Sequence, residues 1–309
     1  MPNIRALHHV HVQVTDLEAN RRFVEAFGLR DAGRVGERHH FRTGGRDAYS
    51  LVVQPGADTS LLGLAFEVDR REDLLQAVRD FGAEPPRALN APGGGEAVTL
   101  RDPEGLAIHL VHGIEGHAPA ALPEPMHINY PGRMVRLNAG HQRRAVGPAQ
   151  LLRLGHVGLF IRSFDTVAWY EQVLGLRCSE RFHAGTPDHP VGGFWRLDRG
   201  AEHVDHHTVG FFAFGKTALH HLSFEVFDIE QQMFAHRHLQ RQGYELVWGV
   251  GRHPLGSHVF DTWKDPNGLR FETYSDTDLC NDQRAPLHHD IAGSEMDLWS
   301  NDSAERYFA

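Results

Sequence analysis

The chain has 309 residues, a net charge of −9 with its histidines neutral, and 24 histidines against two cysteines, Cys178 and Cys280. That length suits two ordinary domains, the acidic balance argues against a nucleic-acid surface, and no apolar run approaches the roughly 20 residues that cross a bilayer. Two cysteines exclude a disulfide framework or a cysteine zinc site, and with no signal-peptide h-region in MPNIRALHHV the expectation is a cytoplasmic protein.

In chain order, HHVHVQV (8–14) alternates as a strand. Thr15-Asp16 then offers a helix cap, and LEANRRFVEAF reads as an amphipathic helix closed by Gly28. LLGLAFEVDRREDLLQAVRDFGAE (61–84) repeats strand, helix and glycine, and LRDPEGLAIHLV (100–111) carries an Asp-Pro-X-Gly turn. A linker rich in Pro, Gly and His follows (113–133), then a less regular stretch to about Gln150. The plan then recurs. LGHVGLFIRSFDTVAWYEQVLGLR (154–177) places His156, Gly175 and Arg177 at one offset of 147 from His9, Gly28 and Arg30. Residues 219–245 parallel 61–84, and WKDPNGLRFETY (263–274) parallels 100–111. This internal repeat predicts an α+β chain of four strand–helix–strands units in two domains, 1–147 and 148–276. The polar tail, 277–309, ends in MDLWSNDSAERYFA, whose aromatics are expected to pack back on the body.

The stretch from Gly251 to Asp276 carries the chemistry. Asp265-Pro266-Asn267-Gly268 is a turn that makes a hairpin of its flanks, and it places Glu272 inside an apolar strand, where a carboxylate is costly unless paired or bound to a metal. The matched strand positions of the second half hold His156, His221 and Glu272. Two imidazoles and one carboxylate on one face, with positions left open, form the facial triad of non-haem Fe(II) oxygenases. The first half has His9, Gly63 and His109 there, and Gly63 cannot ligate. Taken singly, His156 also reads as a core histidine and His253 as a loop residue. His220 and His221 face opposite ways, so only one of them points inward. Joint occurrence at equivalent positions of a repeat favours the triad.

LGHVGLFI around His156, LHHLSFEV around His221, and GRHPLGSHVFDTWKDPNGLRFETY, with nineteen positions from His253 to Glu272, together resemble the type I extradiol ring-cleavage dioxygenases of the vicinal oxygen chelate superfamily. The resemblance implies paired βαβββ modules in each domain and a metal site in the C-terminal barrel. It implies Fe(II), or Mn(II), on His156, His221 and Glu272, with O₂ as co-substrate and a small aromatic diol as substrate. It further implies His253 hydrogen-bonding a substrate hydroxyl oxygen, His207 (ahead of its neighbour His206) as acid–base, and a homo-oligomer. Thr262 stands where the family has a tyrosine that touches the metal-bound substrate oxygen, which puts that contact in question. Phe194, Trp195, Phe260 and Trp263 are candidates for the pocket wall. Two rivals stay open: another enzyme of the superfamily, such as a hydroquinone-cleaving dioxygenase or glyoxalase-like isomerase, and a non-catalytic small-molecule binding protein.

Overall fold

The structure, a computed structural model, describes residues 1–140, 145–292, 295–300 and 305–308. Its first unit shows how local chemistry builds the repeat. Strand β1 (Ile4–Val14) is followed by Asp16, whose carboxylate accepts from the Ala19 amide at 2.8 Å and starts helix α1 (Leu17–Phe27). Phe23, Val24 and Phe27 line the buried stripe of α1, and Gly28, at a φ of 125°, ends it. Strands β2 (Arg30–Val35), β3 (Arg38–Arg42) and β4 (Leu51–Pro55) complete the unit. The second unit is β5 (Ser60–Val68), α2 (Arg71–Phe81), β6 (Arg87–Ala88), β7 (Glu96–Arg101) and β8 (Ala107–His112). The third is β9 (Arg153–Ile161), α3 (Asp165–Leu174), β10 (Arg177–His183), β11 (Pro190–Arg196), the short β12 (Val204–Asp205) and β13 (Val209–Ala213). The fourth is β14 (Ala218–Glu225), α4 (Ile229–Arg241), β15 (Glu245–Arg252), β16 (Val259–Lys264) and β17 (Arg270–Ser275). The tail adds β18 (Leu279–Cys280), β19 (Leu287–Asp290) and the single-turn α5 (Glu305–Phe308).

The units pair into two sheets of one design, as the α+β expectation of two βαβββ modules per half required. The first runs β2-β3-β4-β1-β5-β8-β7-β6 and the second β15-β16-β17-β14-β9-β13-β11-β10-β19, so the lead strands of two units meet at each centre. These central pairs are antiparallel, and each lead strand runs parallel to the last strand of its own unit. The registers reproduce the sequence repeat. His9 faces Ala65 as His156 faces Ser223, His11 faces Gly63 as Gly158 faces His221, and Ala65 faces His109 as Ser223 faces Glu272.

The two Asp-Pro-X-Gly turns join the halves. Asp265 accepts with one oxygen from the amides of Asn267 and Leu269 (2.9 and 2.8 Å) and with the other from the Asn20 side chain on α1 (2.7 Å). Asp102 accepts from the amides of Glu104 and Leu106 (both 2.9 Å) and from the Tyr170 hydroxyl on α3 (2.9 Å). Each aspartate thus closes its own turn and docks that turn on the lead helix of the opposite half. Around these contacts one hydrophobic core runs through both halves, with Phe23 and Phe27 of α1 packed on Phe271 of β17. Among the described residues no helix is long and apolar enough to cross a membrane, which says nothing about crossing by strands.

Two measurements test this account. Asp265 is 3% exposed, and Asp265→Ala strands the amides and the Asn20 side chain it holds. The urea-unfolding free energy of the chain is expected to drop by about 2–4 kcal/mol, and a drop within error of zero would contradict the docking role. The second concerns pH. Burial, with minor help from Arg46 and Arg38 respectively, drives His8 and His11 down from 6.5 to about 4. The folded chain therefore refuses protons that the unfolded chain takes up below about pH 6.5. These groups subtract nothing above about pH 7 and subtract up to about 1.4 kcal/mol per histidine and pH unit as the pH falls from there towards 4. Urea unfolding is expected to show a plateau from pH 7 to 8 and a steep decline on the acid side.

Candidate metal centre

His156, His221 and Glu272 stand on β9, β14 and β17, three neighbouring strands at the centre of the second sheet. One donor atom from each lies within 4.8 Å of the others. The His156 Nε2 is 3.2 Å and the His221 Nε2 4.0 Å from the same Glu272 oxygen, Oε1. Gly158, directly across from His221 on β9, makes this approach possible, since a Cβ there would lie 2.6 Å from the His221 ring.

Glu272 is fully buried, at 0% exposure. Its oxygens take hydroxyl donors from three sides: Ser223 to Oε1 at 2.8 Å, Thr262 to Oε2 at 2.9 Å, and Tyr307 to Oε2 at 3.3 Å. Burial alone would raise its pKa, and the adjacent His221 and His156 more than offset that, so the carboxyl lies well below its usual range. His221 is driven the other way, to about 3, by burial that Glu272 only partly counters. The centre thus presents an anionic carboxylate beside a neutral imidazole whose Nε2 is buried without a hydrogen-bond partner. An unpartnered buried nitrogen aimed at a buried anion is what a divalent first-row cation would satisfy.

The first half serves as an internal control. His9 and His109 occupy the matching positions, but a Cβ on Gly63 would sit 2.9 Å from the Ala107 carbonyl oxygen and 3.2 Å from the His109 Nε2. A third ligand has no room there. His109 instead pairs with the Thr99 hydroxyl and His9 with His8, each at 2.8 Å.

Above the triad opens a cavity of about 410 Å³. Its walls are largely aromatic, from Phe182, Phe194, Phe212 and Phe214, and its polar side chains include His156, His207, His221, His253 and His258. His207 faces this space and stacks on Phe194 with ring centres 4.4 Å apart. His206 does not. Its Nε2 lies 3.2 Å from Glu180, and its Nδ1 meets the His207 Nδ1 at 3.1 Å. His253 lines the cavity and donates from Nδ1 to the Met296 carbonyl at 2.6 Å.

Several expected residues are placed elsewhere. Phe260 lies behind His253, stacked at 3.9 Å, and does not reach the cavity wall. Trp195 and Trp263 point to the other face of their strands, as direct neighbours of inward residues must. Their indoles donate to the half-buried Glu171 (2.8 Å) and the buried Asp261 (2.7 Å). Thr262, expected to face substrate, is 0% exposed and holds Glu272 instead. The sequence reading missed His258, whose Nε2 lies 4.0 Å from Glu272, and the phenol of Tyr307. His258 sits five residues after His253 in the same stretch and carried a visible signal as a histidine beside the hairpin. Tyr307, in the tail, carried none.

Residues 153–273 match the Glyoxalase/Bleomycin resistance protein/Dioxygenase superfamily. The chain is 28% identical over 317 residues to metapyrocatechase 2 of Cupriavidus necator, which covers 99% of this chain and 91% of that protein. In fold it is similar to homoprotocatechuate 2,3-dioxygenase from Brevibacterium fuscum, solved in an anaerobic complex with 3,4-dihydroxyphenylacetate (TM-score 0.80, 18% identity, 99% of this chain and 92% of that one). It is also similar to the Mn(II)-bound glyoxalase from Novosphingobium aromaticivorans (TM-score 0.78, 20% identity, 97% and 92%). The superfamily match thus covers the ligand-bearing units of the second half, and the whole chain is similar in sequence to a metapyrocatechase and in fold to extradiol dioxygenases and a glyoxalase, relatives that imply a catalytic metal ion.

Replacing the charged ligand tests the centre directly. Wild-type chain titrated with Mn(II), with free ion followed by electron paramagnetic resonance, is expected to bind one ion per chain. Glu272→Gln is expected to weaken that binding by about 100-fold or more, beyond what loss of an outer contact costs. Equal binding by both would remove the triad from consideration.

Proposed function

We propose that the chain is an extradiol dioxygenase that opens the ring of a catechol-type substrate beside its vicinal diol, using O₂ and Fe(II), with Mn(II) as the alternative ion. The observation that carries this reading is the convergence of His156, His221 and Glu272 at the foot of an aromatic-walled cavity that His207 and His253 also line. The ion would be held by those three residues. When bound, it supplies positive charge that lowers the pKa of a vicinal diol and leaves open positions for diol and O₂.

The protein's own groups account for binding, orientation and proton movement. Phe182, Phe194, Phe212 and Phe214 offer apolar faces to a planar ring and exclude water from it. The Nδ1 atoms of His206 and His207 pair at 3.1 Å, and the proton between them is assigned to His207. That assignment leaves the Nε2 lone pair of His207 for the cavity. Burial, reinforced by His156 and His206, keeps His207 well below the ordinary histidine pKa and hence neutral at physiological pH. His207 therefore takes a proton from a substrate hydroxyl as a base and returns it as an acid when the ring opens. His253 is oriented from the other side: the Met296 carbonyl can only accept, so Nδ1 carries the proton and Nε2 receives a hydrogen bond from the second hydroxyl.

The division at residue 147 separates a half without a complete ligand set from the catalytic half, and the free thiols of Cys178 and Cys280 suit the reducing cytoplasm. A homo-oligomer fits the exposed apolar side chains of the linker and the stretch after it, among them Leu122, Ile128, Met134 and Leu137.

Chain loaded anaerobically with Fe(II), then given air and a panel of catechols, is expected to consume one O₂ per ring and yield a yellow ring-fission product. His207→Asn is expected to lower kcat by about 10²- to 10⁴-fold while Mn(II) affinity stays within a few-fold. No oxygen uptake with any catechol, despite bound iron, would sink the reading.

A further inference from the structure

We infer that the C-terminal helix is a positioning element of the metal centre. Tyr307 sets the ligand geometry twice, with its carbonyl through His220 and with its phenol on Glu272. The inference rests on the proposed metal centre and goes beyond it, because Tyr307 and His220 lie outside the ligand set.

The first path is a chain of hydrogen bonds with one allowed direction. The Tyr307 carbonyl oxygen lies 2.6 Å from the His220 Nε2, and a carbonyl only accepts, so that nitrogen carries a proton. An imidazole with its single proton on Nε2 accepts at Nδ1. The His221 Nδ1 lies 2.6 Å from it and must be the donor. The proton of His221 is thereby fixed on Nδ1, and its Nε2 is left as a lone pair, the atom that is buried without a partner beside Glu272. A histidine ligates through whichever nitrogen its other hydrogen bond leaves free. The tail carbonyl makes that choice for His221 at a remove of one imidazole.

The second path is direct. The Tyr307 phenol oxygen is 3.3 Å from the Glu272 Oε2 and 3.3 Å from the His221 Nδ1. With Thr262 it gives Oε2 two donors, so the carboxylate keeps Oε1 turned to the histidines. Tyr307 is 4% exposed and packs on Val247, Trp248 and Phe260, so the helix is seated in the core of the second half. Phe308 beside it stacks on Phe214, which lines the cavity. A phenol therefore does reach this centre, from position 307 in the tail rather than from position 262 on β16.

Two substitutions separate the paths. Tyr307→Phe keeps the carbonyl and removes the hydroxyl, and His220→Phe keeps an aromatic ring and breaks the relay. Each is expected to weaken Mn(II) binding by about 10- to 100-fold, and with Co(II) as the probe ion to shift the visible absorption bands that report coordination. A merely structural helix would lower the unfolding midpoint of the metal-free chain and leave Kd and spectrum alone. If His220→Phe fails to fold, Tyr307→Phe alone decides. Wild-type Kd and an unshifted Co(II) spectrum in the folded variants would overturn the inference even if the wild type cleaves catechols. Weakened, shifted binding in the variants would support it even if no catechol is cleaved and the dioxygenase reading fails.

Discussion

A carboxylate without solvent exposure in the middle of a sheet is the constraint around which the second half is built. Desolvating such a charge costs several kcal/mol unless donors and counter-charges replace the lost water. Around Glu272 the replacements come from three strands and the tail: Ser223 on β14, Thr262 on β16, the imidazoles of His156 and His221, and Tyr307. None is adjacent to it in sequence, so the carboxylate can be ionised only once β9, β14, β16 and β17 are in register. A slip of one residue would turn Glu272 into the helix layer and Phe271 into the cavity. The turn at Asp265 holds that register, and the same aspartate reaches across to Asn20. Closing the hairpin, docking the two halves and aiming the metal-facing carboxylate are thus one structural event.

The adjacent histidine pairs follow a related logic. On a strand, neighbours face opposite ways, and that rule makes the outward member of each pair look like a spectator. Instead, the two rings of each pair meet Nδ1 to Nδ1: His206 with His207 at 3.1 Å, His220 with His221 at 2.6 Å, and even His8 with His9 at 2.8 Å in the half without a third ligand. In the second half the far nitrogen of His220 is anchored on the Tyr307 carbonyl, while that of His206 lies 3.2 Å from Glu180. Through its anchor His220 passes a fixed polarity to His221. The abundance of histidine, which weakens any single sequence motif, has a physical use here: an imidazole is the one neutral side chain that accepts at one ring nitrogen and donates at the other.

What was legible in the sequence divides along the same line. Local chemistry gave the modules away: a cap at Asp16, a closing glycine at Gly28, and two Asp-Pro-X-Gly turns at matching places in the two halves predict the elements and their pairing. The repeat also predicted the convergence of His156, His221 and Glu272, because equivalent strand positions share a face and a depth. It predicted less well wherever a side chain's direction depended on a bulge or on distant chain. Aromatic character makes Trp195 and Trp263 no more than candidates for the wall, and both sit one position off the inward face. Thr262 stands at a position the family pattern gives to a substrate contact, whereas its hydroxyl is turned to Glu272. Tyr307 is expected from the sequence only to pack on the body with the other tail aromatics; its contact with Glu272 joins distant chain, and no periodicity encodes that.

The first half explains why a chain with a single candidate centre among its described residues carries two copies of the fold. Its ligand positions are accounted for without a metal: Gly63 leaves no room for a side chain, and His9 and His109 find partners in His8 and Thr99. Its docking surfaces remain intact. Asn20 and the backbone of Asp16 engage the Asp265–Gly268 turn, while Glu104 engages the Arg162 amide and the Thr166 hydroxyl at the matching edge of the second half. Phe271, the immediate neighbour of Glu272, is buried against Phe23 and Phe27 of the first half. Separated from α1, β17 would expose that ring to water and lose the packing that holds the carboxylate's strand in place. An incomplete ligand set costs the first half little, but loss of its helix face would unseat the strand on which the candidate centre depends.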